Sequence, residues 1–156
     1  MATAEGFDLT HGKQFTLFTH MGPNPWKITF LLHELGLGDQ YHGILLEGDE
    51  VREPRFTKYN PNGRAPALID HANNDFAIWE SGAIMEYIVQ KYDTEHKFSF
   101  ESFEERMEAL QYLMLQMSGK LAPPEIVSVE LVHIGLAKDF AILQDKDLFG
   151  DNLAGS

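Results

Sequence analysis

Three groups of residues in this sequence carry chemistry that their types and spacing make legible. The first is the run Asn60-Pro61-Asn62-Gly63-Arg64, rich in turn formers, which leads into Ala65-Pro66-Ala67-Leu68-Ile69-Asp70. A proline has no N–H to give to a sheet, so Pro66 must open a strand or lie on an edge. Ala65 and Pro66 can then offer backbone groups to an extended peptide, which pairs with them like an added strand. The second group is Trp79-Glu80-Ser81-Gly82, where an acid and a hydroxyl stand at a helix start. Glu80 can take an ammonium. Ser81 can turn its hydroxyl and N–H toward a carboxylate, helped by the positive end of the helix. The pair suits the two charges of an amino-acid end, although alone it also reads as an N-cap with an acid in the first turn. The third group is Thr19 and His20 with Asn24, ahead of another helix. The Asn24 amide and the helix dipole can stabilise an anion. Equally, Asn24-Pro25 is a good cap followed by a good first helical residue.

These groups need elements to hold them. Phe15-Thr16-Leu17-Phe18-Thr19 is β-branched and aromatic and predicts a strand. Met21-Gly22-Pro23 breaks it. A helix is expected from Asn24-Pro25, with Ile28, Leu31, Leu32 and Leu35 at helical spacing and Gly36 or Gly38 ending it. A second strand is expected over 41–46 and a short irregular helix over 53–59. Strands at 66–70 and 76–79, joined by the turn-rich His71-Ala72-Asn73-Asn74-Asp75, read as a hairpin. A helix follows over 81–92. Strand–helix–strand at the start implies a parallel pair with a right-handed crossover. The order βαβ-α-ββα is an α/β, thioredoxin-like arrangement. Beyond a charged linker at 93–100, Phe103, Met107, Leu110, Met114 and Met117 mark one face of a long helix. Pro123-Pro124 ends it, a further helix is expected over 125–144, and 145–156 reads as a loop or tail. The lead-in before Lys13 is polar and mixed and is expected to be ordered late or mobile.

Composition removes several classes of function. With 156 residues and 44% hydrophobic content the chain is a folding one, large enough for one domain and part of another. Its net charge of −12 repels phosphate backbones and anionic lipid, so neither nucleic acid nor a membrane surface is expected as a partner. No basic, apolar leader and no bilayer-length apolar run is seen, and a cytoplasmic location is expected. Cysteine is absent, which removes disulfides, thiolate zinc sites and any cysteine nucleophile. A thiol reaction would need a thiol carried in by a ligand. The seven histidines form no zincin-type helical pair with a nearby acid, and no metal is expected.

The stretches Ala65-Pro66-Ala67-Leu68 and Trp79-Glu80-Ser81-Gly82-Ala83-Ile84 carry a resemblance. Residues 15–92 resemble the N-terminal domain of the glutathione S-transferase superfamily, in particular the fungal subgroup related to the yeast nitrogen-regulating prion protein. Pro23-Asn24-Pro25-Trp26-Lys27 is similar to that subgroup's first loop, where an Asn faces the thiol, and Leu115-Gln116-Met117-Ser118-Gly119 is similar to its first C-terminal helix. The resemblance implies a thioredoxin-like glutathione-binding domain over 14–93 and an all-α C-terminal domain over 101–156. That second domain is expected to be shortened, since 101–156 has room for about two helices. Glutathione is the implied cofactor. A cis Ala65–Pro66 bond would pair with its cysteinyl backbone, and Glu80 and Ser81 would hold its γ-glutamyl end. Arg64 and Lys58, with Lys27 and Arg52, are candidates for its glycyl carboxylate. Asn24 would face the thiolate, with Thr19 and His20 flanking it.

The implied activity is use of the glutathione thiolate on an electrophilic small molecule. The outcome would be conjugation, or reversible addition giving cis/trans isomerisation of an activated double bond. A bulky, polyketide-like product of fungal secondary metabolism suits an open pocket. The alternative is a non-catalytic glutathione-binding or regulatory module of the same fold. A homodimer is expected, because a short helical domain leaves the Phe103–Met107–Met114 stripe to be covered.

Overall fold

The computed structural model describes residues 6–118. The chain divides after Tyr92 into two compact units. In the first, the elements run β1 (Phe15–Thr19), α1 (Pro23–Glu34), β2 (Tyr41–Leu45), α2 (Pro54–Thr57), β3 (Ala67–Asp70), β4 (Phe76–Trp79) and α3 (Ser81–Tyr92). The sheet order is β2-β1-β3-β4. β1 pairs with β2 in parallel, and β3 runs antiparallel to both β1 and β4. Helix α1 is the crossover that the parallel pair requires. The arrangement is thioredoxin-like.

Strand alternation sorts the core into two layers. Phe15, Leu17 and Leu68 belong to one face, with Ile28, Leu31 and Leu32 of α1 and Ile84, Met85 and Ile88 of α3 all buried. On the other face Phe18, Ala67 and Ile69 cluster with Phe56 of α2, Leu46 and Ala65. Each large apolar side chain so buried contributes about 1.5–3 kcal/mol.

Asp70, with no exposed surface, closes β3 and ties it to the far end of α3. Its carboxylate accepts from the Ala72 amide at 3.0 Å, the Tyr87 hydroxyl at 2.6 Å and the Tyr92 hydroxyl, and Lys91 Nζ lies 3.6 Å away. Burial, then the bond to Asp70, pushes both phenols above their ordinary range.

Three expectations are corrected. Helix α1 starts at Pro23, and its cap is Gly22, without a side-chain cap bond. Pro23 supplies the fixed φ of a first helical residue, so Asn24 falls inside the first turn. The short helix expected over 53–59 is found as α2, and a 3-10 turn at Gly48–Arg52 precedes it. Pro54 separates them, since it cannot donate to a helix entering from before it. β3 begins at Ala67, one residue after the proline that has no N–H for the ladder. The lead-in is not a loose tail over its described part. The Phe7 ring meets Phe18 edge-on at 4.9 Å, Arg55 stacks 4.8 Å over Phe7, and Leu9 packs on the same cluster.

In the second unit Asp93 collects the amides of Lys97 and Phe98, each at 2.7 Å, which gives the linker a defined turn. Ser102 caps α4 (Phe103–Met117), accepting from the Glu105 amide at 3.2 Å and donating to its carboxylate at 2.6 Å. Phe103, Met107 and Met114 are exposed, whereas Leu113, outside the expected stripe, is buried. The helix expected over 125–144, the Pro123-Pro124 stop and the tail lie outside the described residues, as does most of the domain expected to be shortened.

Candidate functional site

Strand register brings three of the candidate residues into one row. Phe18 pairs with Ala67, and Ala67 with Trp79. One step further along these strands stand Thr19, Pro66 and Glu80. Ser81 then opens α3. Residues 47 positions apart and 14 positions apart in the chain thus share one end of the sheet.

The Ala65–Pro66 bond is cis, as the resemblance implied. The loop that delivers it is held from within. Asn60 is 1% exposed. Its Nδ2 donates to the Arg64 carbonyl, its Oδ1 accepts from the Asn62 amide at 2.9 Å, and its carbonyl accepts from the Gly63 amide at 3.0 Å. Gly63 has φ +65, and a Cβ there would meet the Val51 carbonyl oxygen at 3.1 Å, so both conformation and space ask for glycine. Asn62 in turn donates to Glu80 Oε1 at 3.3 Å, joining the loop to the acid. By sequence alone Asn60 and Asn62 are only turn formers. The available signal was a pair of carboxamides two residues apart, ahead of a strand-opening proline. Asn60→Ala removes a buried donor and acceptor together. Urea denaturation should show a loss of about 1–2 kcal/mol.

Glu80 has φ +72, rare for a residue with a Cβ. Its carbonyl accepts from the Ile84 amide at 2.9 Å, so the chain reverses at Glu80 and enters α3 in the same step. Ser81 is buried at 2% exposure, at a helix end whose first N–H groups point out of the helix. Strain of this kind persists where the surroundings enforce it, and it concentrates at functional sites.

The loop after β1 forms the other side. The Thr19 hydroxyl donates weakly to the His20 carbonyl at 3.4 Å. The His20 ring lies over Gly22, where a Cβ would come within 2.6 Å of the imidazole. Asn24 is exposed in the first turn of α1. Lys27 is not a surface charge: it is 3% exposed, and burial pushes its pKa down to about 8. Arg64 and Lys58 are exposed. Arg64 is held through its backbone, and the Lys58 ammonium lies 4.7 Å from the Tyr59 ring centroid. No described contact joins either side chain to the Thr19–Pro66–Glu80 row. Among the described residues no group of acidic or histidine side chains could hold a metal ion, and no helix is long and apolar enough to cross a membrane.

A cis proline, an acid at positive φ and a helix start thus stand together at one end of a thioredoxin-like sheet. The profile of the glutathione S-transferase N-terminal domain matches residues 13–90. The chain belongs to the glutathione S-transferase family. Glutathione S-transferase 1 of Schizosaccharomyces pombe is 47% identical over 109 residues, which are 69% of this chain and 48% of that protein. The glutathione transferase URE2P6 of Phanerochaete chrysosporium, solved with oxidized glutathione, superposes with a TM-score of 0.68 at 40% identity, covering 86% of this chain and 68% of that one. Ure2p5 of the same organism, cocrystallized with 1-(S-glutathionyl)-2,4-dinitrobenzene, gives 0.63 at 45% identity over 86% and 64%. The chain spans about half the length of the curated relatives it matches.

Proposed function

We propose that this chain binds glutathione and uses its thiolate on an electrophilic small molecule. The observation that carries the reading is the row of Thr19, cis Pro66 and Glu80 with Ser81 at the start of α3. Glu80 takes the γ-glutamyl ammonium, while Ser81 and the α3 N-terminus take its carboxylate. The Ala65 backbone pairs with the cysteinyl unit, and Arg64 or Lys58 meets the glycyl carboxylate. The relatives solved with oxidized glutathione and with a glutathionyl conjugate support this placement.

The chain holds no cysteine, so the reacting sulfur is the ligand's alone. A free thiol titrates near pH 8.5, so a donor amide and a helix dipole are needed to keep it ionised at neutral pH. Asn24 supplies the amide, with Thr19 and His20 beside it. The thiolate adds to an activated carbon of the electrophile, forming a C–S bond. The displaced electron pair is then protonated, which leaves a conjugate. Alternatively, it returns after bond rotation and expels the thiolate, which leaves the isomer. The reading also places the protein in the cytoplasm, where the thiol pool is kept reduced, and as a homodimer.

Incubation with glutathione and a panel of enones, read by mass and by chromatographic separation of isomers, tests it. A mass gain of one glutathione, or isomer formation strictly dependent on glutathione, is expected. Glutathione bound without turnover of any member would leave the non-catalytic module as the function. Absence of glutathione binding in a calorimetric titration would overturn the reading. Light scattering of the same sample should give twice the mass of a single chain.

A further inference from the structure

At the opposite end of the sheet from this row, three histidines and a buried threonine are wired together. His11 Nε2 lies 2.7 Å from Thr16 Oγ1, and Thr16 Oγ1 lies 2.8 Å from His71 Nε2. His71 Nδ1 lies 2.5 Å from Asp75 Oδ1. His11 Nδ1 accepts from the Lys13 amide at 3.0 Å. The His42 ring stacks on His11 at 4.5 Å, and the His71 ring meets it edge-on at 5.4 Å.

The order Thr16–His71–Asp75 is that of a nucleophile, a base and an acid, but Thr16 has no exposed surface and no substrate can reach it. A metal site fits no better. Both nitrogens of His11 and both of His71 are already engaged, and two stacked rings cannot aim their lone pairs at one ion.

The bonds have a direction. The Lys13 amide can only donate, so His11 Nδ1 carries a lone pair and its proton sits on Nε2. That proton goes to Thr16 Oγ1, the threonine proton to His71 Nε2, and the His71 Nδ1 proton to Asp75. A second proton on His11 must enter at Nδ1, where it would face the Lys13 N–H, donor against donor. A second proton on His71 would leave the buried Thr16 hydroxyl proton unspent.

We propose that residues 7–13 are a pH-sensitive clasp, docked on the sheet while His11 is neutral and released when His11 takes a second proton. The clasp covers apolar surface through Phe7 and Leu9, so its release uncovers the Phe18 side of the core. The groups facing His11 are Asp8 and Lys13 on the clasp itself, His42 on β2, and His71 after β3, backed by Asp75. Burial first, then His42 and His71, hold the His11 pKa below the usual value, with Asp8 opposing. Docking therefore selects the neutral ring. It is at full strength above the free imidazole value of about 6.5 and weakens as the pH falls below it toward the docked value.

Amide hydrogen exchange at pH 7.5 and 5.0, corrected for intrinsic rates, tests this on the whole chain. Protection over residues 8–13 should fall tenfold for each unit by which docking lowers the pKa, while amides of Leu17 and Phe18 keep theirs. In His11→Gln the fall should vanish. In His42→Gln, which removes the stacked ring without touching the relay, it should shrink. A flat profile over 8–13 would overturn the proposal. So would a fall that both variants retain, or one shared by Leu17 and Phe18, which would mark general unfolding.

Discussion

Glu80→Gly is expected to raise the stability of this chain while abolishing tight glutathione binding. The two effects come from different parts of one residue. The backbone sits at φ +72, where a Cβ is resisted by about 1–2 kcal/mol and glycine is not. Relief of that strain is partly offset by the greater freedom of glycine in the unfolded chain, leaving a gain of about 1 kcal/mol. The side chain is the proposed partner of the γ-glutamyl ammonium. Its loss leaves a charge unpaired on binding, at about 2–5 kcal/mol, or at least 30-fold in affinity. Thermal unfolding and calorimetric titration on the one variant read both. Glu80→Gln, which keeps the Cβ, should lose affinity without gaining stability. A glycine variant that binds glutathione as tightly as the parent would remove Glu80 from the site, whatever its melting temperature.

Asn24→Ala is expected to lower turnover by about 100-fold or more at nearly unchanged stability. Removing one anion-stabilising donor costs about 2.7–4 kcal/mol of transition-state stabilisation in well-studied sites. Had Asn24 been the helix cap, about 1 kcal/mol of stability would go with it. Gly22 holds that position, and Asn24 lies exposed in the first turn, where alanine is the better helix former. The variant therefore separates chemistry from folding without a correction for a lost cap. The absorbance of bound thiolate near 240 nm gives a third readout, expected to titrate at higher pH in the variant. Full turnover with an unchanged thiolate titration would end the case for Asn24 and turn attention to Thr19 and His20.

Local chemistry explains what the sequence disclosed. The β-branched and aromatic run at Phe15–Thr19, the hairpin around residues 71–75 and the helix from Ser81 all carry their signal within a few residues, and each was found where expected. Pro66 and Glu80 were legible as a pair because a proline-opened strand and an acid at a helix start are strong punctuation. Signals that depend on partners far along the chain were not legible. Asn60 looks like any turn asparagine until Arg64 and Asn62 are seen folded around it. The lead-in reads as mobile until Phe7 is placed on Phe18, and the histidines at 11, 42 and 71 look scattered until the fold brings them to one corner. The start of α1 is not legible locally because two prolines, Pro23 and Pro25, compete for the same role, and local propensity cannot rank them.

The tie between Asp70 and the C-terminal half of α3 helps to fix the tilt of that helix. It is tied at Tyr87 and Tyr92, and Ser81 lies about 9 Å and about 16 Å from them along the axis. A stiff helix passes a tilt at this tie on to its far end, and the buried side chains Ile84, Met85 and Ile88 move with it. If the start of α3 holds the ligand as proposed, the Asp70 carboxylate at the opposite end helps to set its aim, and sequence drift at Asp70, Tyr87 or Tyr92 would be read out as altered ligand affinity at the other end of the domain.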